Sequence, residues 1–143
     1  MAIASMAVRT SNTTTNNANA EVVASANNAY KAMEMGFTQN TGTASVFGMG
    51  VPAAIGVTPG TLATFVFEDG GNTSTAATQI ALTWGTSPTN PTVYSRRMST
   101  PATIGAGITW TFPRGFAVLK AKTLTCSNIG ATVVLDEWWV IDE

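Results

Sequence analysis

The segment from Ala131 to Ile141 places Val133, Leu135, Trp139 and Ile141 on one side of an extended chain and Val134, Trp138 and Val140 on the other. Side chains alternate across a strand with a period of two, so this stretch is apolar on both faces. A strand of that kind is central in its sheet, or is covered outside by another chain. The adjacent Trp138 and Trp139 sharpen the demand. One ring needs a second sheet over it, and the other needs a helix or a further subunit.

The rest of the chain after Thr61 shows the same period, broken by clusters of Gly, Pro and Asn, as in consecutive strands of a sandwich or barrel. Thr61 to Glu68 reads as a strand, followed by an Asp69-Gly70-Gly71-Asn72 turn. Ile80, Leu82 and Trp84 alternate to one face before Gly85 and the Pro88 to Pro91 turn. Val93 to Met98 is a short strand in which Arg96 and Arg97 point to opposite faces, so one of them faces inward, a subunit or a partner carboxylate. Ile108, Trp110 and Phe112 alternate until Pro113-Arg114-Gly115 imposes a bend or bulge, and Phe116 to Cys126 resumes. About eight strands in all predict a single antiparallel β-sandwich of jelly-roll-like form, in a mainly β domain.

The first sixty residues read differently. Residues 1–18 carry the polar tract Thr10 to Asn17 with no apolar period, and predict a flexible, extended N-terminal arm. In residues 19–60, Val22, Ala26, Ala29, Tyr30, Met33 and Phe37 recur at spacings of three and four. That stripe predicts one short helix from Asn19 to about Phe37, capped by Asn19 or Asn17, with Gly36 at its exit. Gly42 to Pro59 is too rich in Gly and Pro for a helix and reads as connecting loop with short extended pieces. The sandwich domain itself is expected over 61–143.

Composition narrows the function. Only 10% of the 143 residues are charged, against about 25% in an ordinary globular chain. Thr, Asn, Ser and Gly take over the work of solvation. A net charge of -1 gives no long-range field to steer nucleic acid or anionic lipid, so neither is expected as a partner. Sparse charge suits a surface that sits against neighbouring subunits, because Lys and Glu are costly to desolvate at an interface core. No stretch approaches a membrane span, and the first ten residues lack the pattern of a secretory signal, which predicts a soluble compartment.

The chain contains no His, which removes the Ser-His-Asp relay, the Cys-His pair and His-bearing metal sites. Cys126 is single, lies in a β-like run and reads as a buried, inert thiol. Asp136 and Glu137 are adjacent in a strand and therefore on opposite faces, so they cannot form a two-carboxylate site. Glu68 and Asp69 supply too few oxygens for calcium, and Gly48-Met49-Gly50 and Gly105-Ala106-Gly107 lack the residues of a phosphate loop. No catalytic set, cofactor or metal is expected, and the chain reads as a non-enzyme.

The closing block, from Ile108-Thr109-Trp110-Thr111-Phe112 through Pro113-Arg114-Gly115 to Thr125-Cys126-Ser127-Asn128-Ile129-Gly130-Ala131-Thr132-Val133 and an aromatic last strand, resembles β-sandwich virion proteins of tailed bacteriophages. These include capsid decoration, or cement, proteins and head or tail appendage proteins. The resemblance covers about the last quarter of the chain. It implies a small sandwich, often a homotrimer, that sits on the virion capsid and clamps neighbouring major capsid subunits, after synthesis in the host cytoplasm. The residues expected at such an interface are Tyr94, Arg96, Arg97, Trp138 and Trp139. The alternative is a receptor- or carbohydrate-binding module of a phage appendage or cell surface, to which the four Trp residues would contribute a platform.

Overall fold

The computed structural model describes residues 3–13, 17–24, 26–54, 61–63, 65–67, 73–74, 78–82 and 91–142. Among the described residues there are twelve strands: β1 (Ile3–Thr13), β2 (Asn17–Ala24), β3 (Tyr30–Gln39), β4 (Ser45–Gly50), β5 (Thr61–Ala63), β6 (Phe65–Phe67), β7 (Thr73–Ser74), β8 (Thr78–Leu82), β9 (Arg96–Thr100), β10 (Gly107–Val118), β11 (Thr123–Asn128) and β12 (Val133–Asp142). They form two six-stranded sheets, in the orders β10-β3-β12-β1-β6-β7 and β5-β8-β2-β11-β4-β9. Every pairing is antiparallel. The sheets pack face to face, as a mainly β sandwich requires.

The chain passes back and forth between the sheets. β1, β3, β10 and β12 lie in the first, while β2, β4, β9 and β11 lie in the second. Among the described strands, only β6 and β7 are both consecutive and hydrogen-bonded to each other. The double-faced strand β12 is central, flanked by β3 and β1. Its odd-numbered residues from Val133 to Ile141 are buried and its even-numbered ones are half-buried, as the alternation predicted.

Between the sheets, Phe37 of β3 packs on Phe47 of β4 with ring centroids 4.4 Å apart, and Trp110 meets Phe37 edge-on at 6.3 Å. Trp139, Met35, Met49, Leu124, Leu135 and Ile141 complete the buried centre. Burial of such side chains is worth roughly 1.5–3 kcal/mol each. Cys126 lies among them as a free, buried thiol.

The structure corrects two expectations for the first forty residues. Where a helix was expected over 19–37, the chain forms β2 and β3, separated by a bend that contains Asn27 and Asn28. The spacing misled because the stripe spans two strands and the exposed bend that holds Ala26 and Ala29, and because β3 itself is bulged. Its pairing with β12 slips between Glu34 and Ala32, so Tyr30, Ala32, Met35 and Phe37 all turn inward although the first two are even and the last two odd. An extra residue in a strand makes a period of two look like spacings of three. Likewise, the polar stretch expected as an arm is largely β1, which pairs with β12 from Ile3↔Asp142 to Thr13↔Val133. β-branched Thr suits a strand, and a sheet neighbour satisfies the backbone whatever the side chains bury. The sandwich is therefore not confined to 61–143.

Later elements follow the expected order with shifted bounds. The Thr61 to Glu68 reading divides into β5 and β6, which belong to different sheets. The Asp69 to Asn72 turn, Trp84 and the start of the Pro88 to Pro91 turn lie outside the described residues. The Pro113-Arg114-Gly115 interruption is a bulge: Thr111 pairs with Glu34 and Phe116 with Ala32, with Gly115 at a φ of +74°. Only glycine takes that conformation at little cost.

At one end of the sandwich, two buried amides tie the loops. Gln39 Nε2 donates to the carbonyls of Pro101, Thr103 and Thr43 at 2.8, 3.0 and 3.2 Å, while its Oε1 accepts the Thr100 hydroxyl at 2.7 Å. Asn128 Nδ2 donates to the Ala131 carbonyl at 2.6 Å, and its Oδ1 accepts from Gly130 N at 3.0 Å and the Ser45 hydroxyl at 2.8 Å. Replacing Gln39 by Ala leaves the Thr100 hydroxyl and several carbonyls without this partner. We expect the Gln39→Ala variant to lose about 2–3 kcal/mol in urea unfolding, and a loss below about 0.5 kcal/mol would show that the loops are held by other means.

Candidate functional site

The parity of β12 divides the tryptophan pair. Trp139 is odd, points between the sheets and is 0% exposed, so within this chain it is a core residue and not part of the surface expected to bind. Trp138 is even and lies on the outer face of the first sheet. Its ring lies over Gly36 of β3, directly opposite in register, where even a Cβ would come within 2.0 Å of Cζ2. Trp138 Nε1 donates to Glu34 Oε1 at 2.9 Å. Glycine at position 36 thus lets a large ring lie against the sheet while its polar edge is satisfied by a carboxylate.

The surroundings of this ring are polar but only sparsely charged. In register, Thr109 of β10 lies opposite Gly36, Thr111 opposite Glu34 and Thr38 opposite Asp136. Val140 stands opposite Glu34. The result is a sheet face with an aromatic centre, Thr residues on its β3 and β10 side, and the Glu34 and Asp136 carboxylates on adjacent strands, one before and one after the Trp138–Gly36 pair.

The second sheet repeats the device. Tyr94 lies over Gly48 of β4, where a Cβ would meet its ring at 2.4 Å, and Pro91 and the Val93 carbonyl cover Gly50. Burial pushes the Tyr94 hydroxyl above its ordinary range, and the Arg97 guanidinium nearby works in the opposite direction. Arg97 is opposite Gly48 in register, hence on the same outer face as Tyr94. Arg96 is turned the other way, as the alternation predicted. It reaches across the open edge of the sandwich, its guanidinium 5.5 Å from the centre of the Phe112 ring of β10, in a cation–π arrangement. Both arginines are exposed. The five residues expected at one interface therefore occupy four places: Trp138 on one sheet, Tyr94 with Arg97 on the other, Arg96 at the edge and Trp139 in the core.

One group in the core escaped the sequence reading. Glu137, also odd, points inward between the sheets and is 1% exposed. Its Oε1 accepts from Trp139 Nε1 at 3.0 Å, and its Oε2 is buried without a hydrogen-bond partner. Burial raises its pKa to about 8 despite the opposing Trp139 bond, so the carboxyl is largely protonated at neutral pH. The same burial, with Glu137 beside it, pushes the Cys126 thiol well above its usual range and keeps it unreactive. Asp136 on the opposite face takes no part, as the strand parity required. Among the described residues, no three His, Cys, Asp or Glu side chains gather in a manner suited to a metal ion.

No protein-family model, curated protein or solved structure matches the chain.

Two predictions follow from this geometry. An acid whose folded pKa is raised contributes no penalty below about 4.5, where it is neutral in both states, and an increasing one up to about 8. The wild-type chain should accordingly lose about 1.4 kcal/mol of stability per pH unit from this group across that window. Glu137→Gln should flatten the dependence, and parallel curves for the two proteins in denaturant titrations at several pH values would refute the assignment. Separately, Gly36→Ala should displace the Trp138 ring, costing about 1–3 kcal/mol and raising acrylamide quenching of tryptophan fluorescence. Unchanged quenching would mean that the ring does not rest there.

Proposed function

We propose that this chain is a structural virion protein that docks on the outside of a phage capsid and strengthens contacts between major capsid subunits. The observation that carries the reading is the outer face of the first sheet. There, a half-buried Trp138 lies flat on Gly36 amid Thr109, Thr111 and Thr38, on a strand already covered on its inner face by the second sheet. An aromatic anchor on a sheet face with few charges matches the aromatic enrichment and charge depletion of an interface centre. A shell multiplies such a contact, because each subunit presents the same site many times and weak contacts add through effective concentration. The homotrimer implied by the resemblance would place three such faces on one particle.

A second reading rests on the same ring. A flat aromatic beside the Glu34 and Asp136 carboxylates and Thr hydroxyls also suits a sugar ring stacked on Trp138, with its hydroxyls donating to the carboxylates. The two readings separate in one set of measurements. Light scattering on the pure protein, followed by co-sedimentation with tailed-phage shells, should give a trimer that pellets with shells, and Trp138→Ser should weaken pelleting at least tenfold without unfolding. A monomer that ignores shells but shows a saturable tryptophan shift on a glycan array's best ligand would replace the capsid reading with the glycan reading.

A further inference from the structure

Between Asp69 and Asp136 the sequence contains no Asp or Glu, yet it carries Arg96, Arg97, Arg114, Lys120 and Lys122. The fold gathers most of these cations at one corner. Arg96 stands over Phe112, and Arg114 follows Phe112 by two residues in the β10 bulge. The side chain of Lys31 runs along Gly115, where a Cβ would meet Lys31 Cβ at 2.7 Å, and Lys31 lies opposite Ala117 in register. Lys120 and Lys122 sit in the turn after β10, closed by Lys122 N donating to the Leu119 carbonyl at 3.1 Å. All five side chains are exposed. Across the β3–β12 pair, Asp142 stands opposite Lys31. A near-neutral chain thus carries a cationic corner.

The same corner holds an apolar hollow. Val51, Pro52, Ala53, Ala117, Val118, Leu119 and Lys122 surround a pocket of about 270 Å³. Two of its walls are aliphatic side chains left in water, Leu119 at 67% and Val51 at 41% exposure. Pockets that hold whole small-molecule ligands run from about 300 to 1,000 Å³, so this one is sized for a single inserted side chain. Its concavity fits a knob better than a bilayer, and its apolar walls reward an inserted side chain, which a phosphodiester backbone does not carry.

We propose that this corner is a docking site for an acidic segment of a partner protein, which places one aliphatic or aromatic side chain in the pocket while its carboxylates meet Lys31, Arg96, Arg114, Lys120 and Lys122. The inference goes beyond the shell-docking reading: it concerns a different surface from that of Trp138 and stands whether or not the partner is a capsid subunit. Complementary charge accelerates encounter and sets orientation, and the buried side chain holds the complex together.

The test uses the full chain and three fluorescein-labelled peptides: an Asp/Glu-rich peptide with a central Leu, the same peptide with Ser at that position, and a neutral Gly/Ser peptide with the Leu. Anisotropy at low salt should rank them in that order of affinity, with the first at least tenfold tighter than the neutral one and its affinity falling as salt is raised. Lys120→Ser with Lys122→Ser should weaken the first peptide tenfold or more. Leu119→Ser should bring it to the level of the Ser peptide. A control of equal net charge change at the opposite end, Thr103→Glu with Thr132→Glu, should have less than a threefold effect. Trp138→Ser should leave peptide binding intact, which keeps this result independent of shell docking. Equal binding of all three peptides, an equal loss in the control, or a preference of the corner for anionic vesicles or an oligonucleotide over the acidic peptide would overturn the proposal. Circular dichroism confirms that each variant is folded.

Discussion

The architecture depends on covering β12 on its inner face. Leu135, Trp139 and Ile141 on that face cannot remain in water, and the second sheet supplies the cover through Phe47, Met49 and Leu124. Once the odd residues of β12 face inward, its neighbours have no freedom of register. A slip of one residue would exchange Trp139 for Trp138 and bring Asp136 into the core. The β1 and β3 pairings, the bulges in β3 and β10 and the placement of Gly36 under Trp138 are all consistent with that single choice of face.

The burial of Glu137 is a cost of the same choice. It occupies an odd position in a strand whose odd positions face the core, so the chain carries a carboxyl between its sheets and satisfies only one of its oxygens, from Trp139. Protonation is the cheapest compensation, because a neutral carboxyl loses far less on leaving water than a carboxylate does. Two buried amides are treated more completely, although Ser127 Oγ and Asp142 Oδ1 are also buried without a partner. The Gln39 and Asn128 amides each bond through both ends, and they fix the loops at one end of the sandwich. The opposite corner, around Leu119 and Val51, keeps apolar side chains exposed among cations.

On each sheet an aromatic ring lies on a glycine of the neighbouring strand, Trp138 on Gly36 and Tyr94 on Gly48. These pairs make the outer faces flatter than rings standing upright would, and they lend the outer faces aromatic surface at low entropic cost. The fold thereby separates three kinds of surface on one small molecule: an aromatic, hydroxyl-rich sheet face, a face carrying Tyr94 and Arg97, and a basic corner with a hollow.

The sequence by itself determined the β class, the two apolar faces of the last strand, the opposite facing of Trp138 and Trp139 and of Arg96 and Arg97, an interruption at Pro113 to Gly115, and the burial of Cys126. Each of these follows from local parity or from residues whose backbone preferences are strong. It did not reveal β1, β2 and β3 as strands. The apolar residues of β1, Ile3, Met6 and Val8, keep no clean alternation and run into the polar tract from Thr10, while the stripe that read as a helix spans β2, an exposed bend and the bulged β3. Nor did it show which of the paired residues would be accessible, that Glu137 would be buried, or that Lys31 would join cations from Arg96 to Lys122, far along the chain. Those outcomes were decided by tertiary structure, because the chain alternates between sheets and almost every contact that defines a site joins residues distant in sequence.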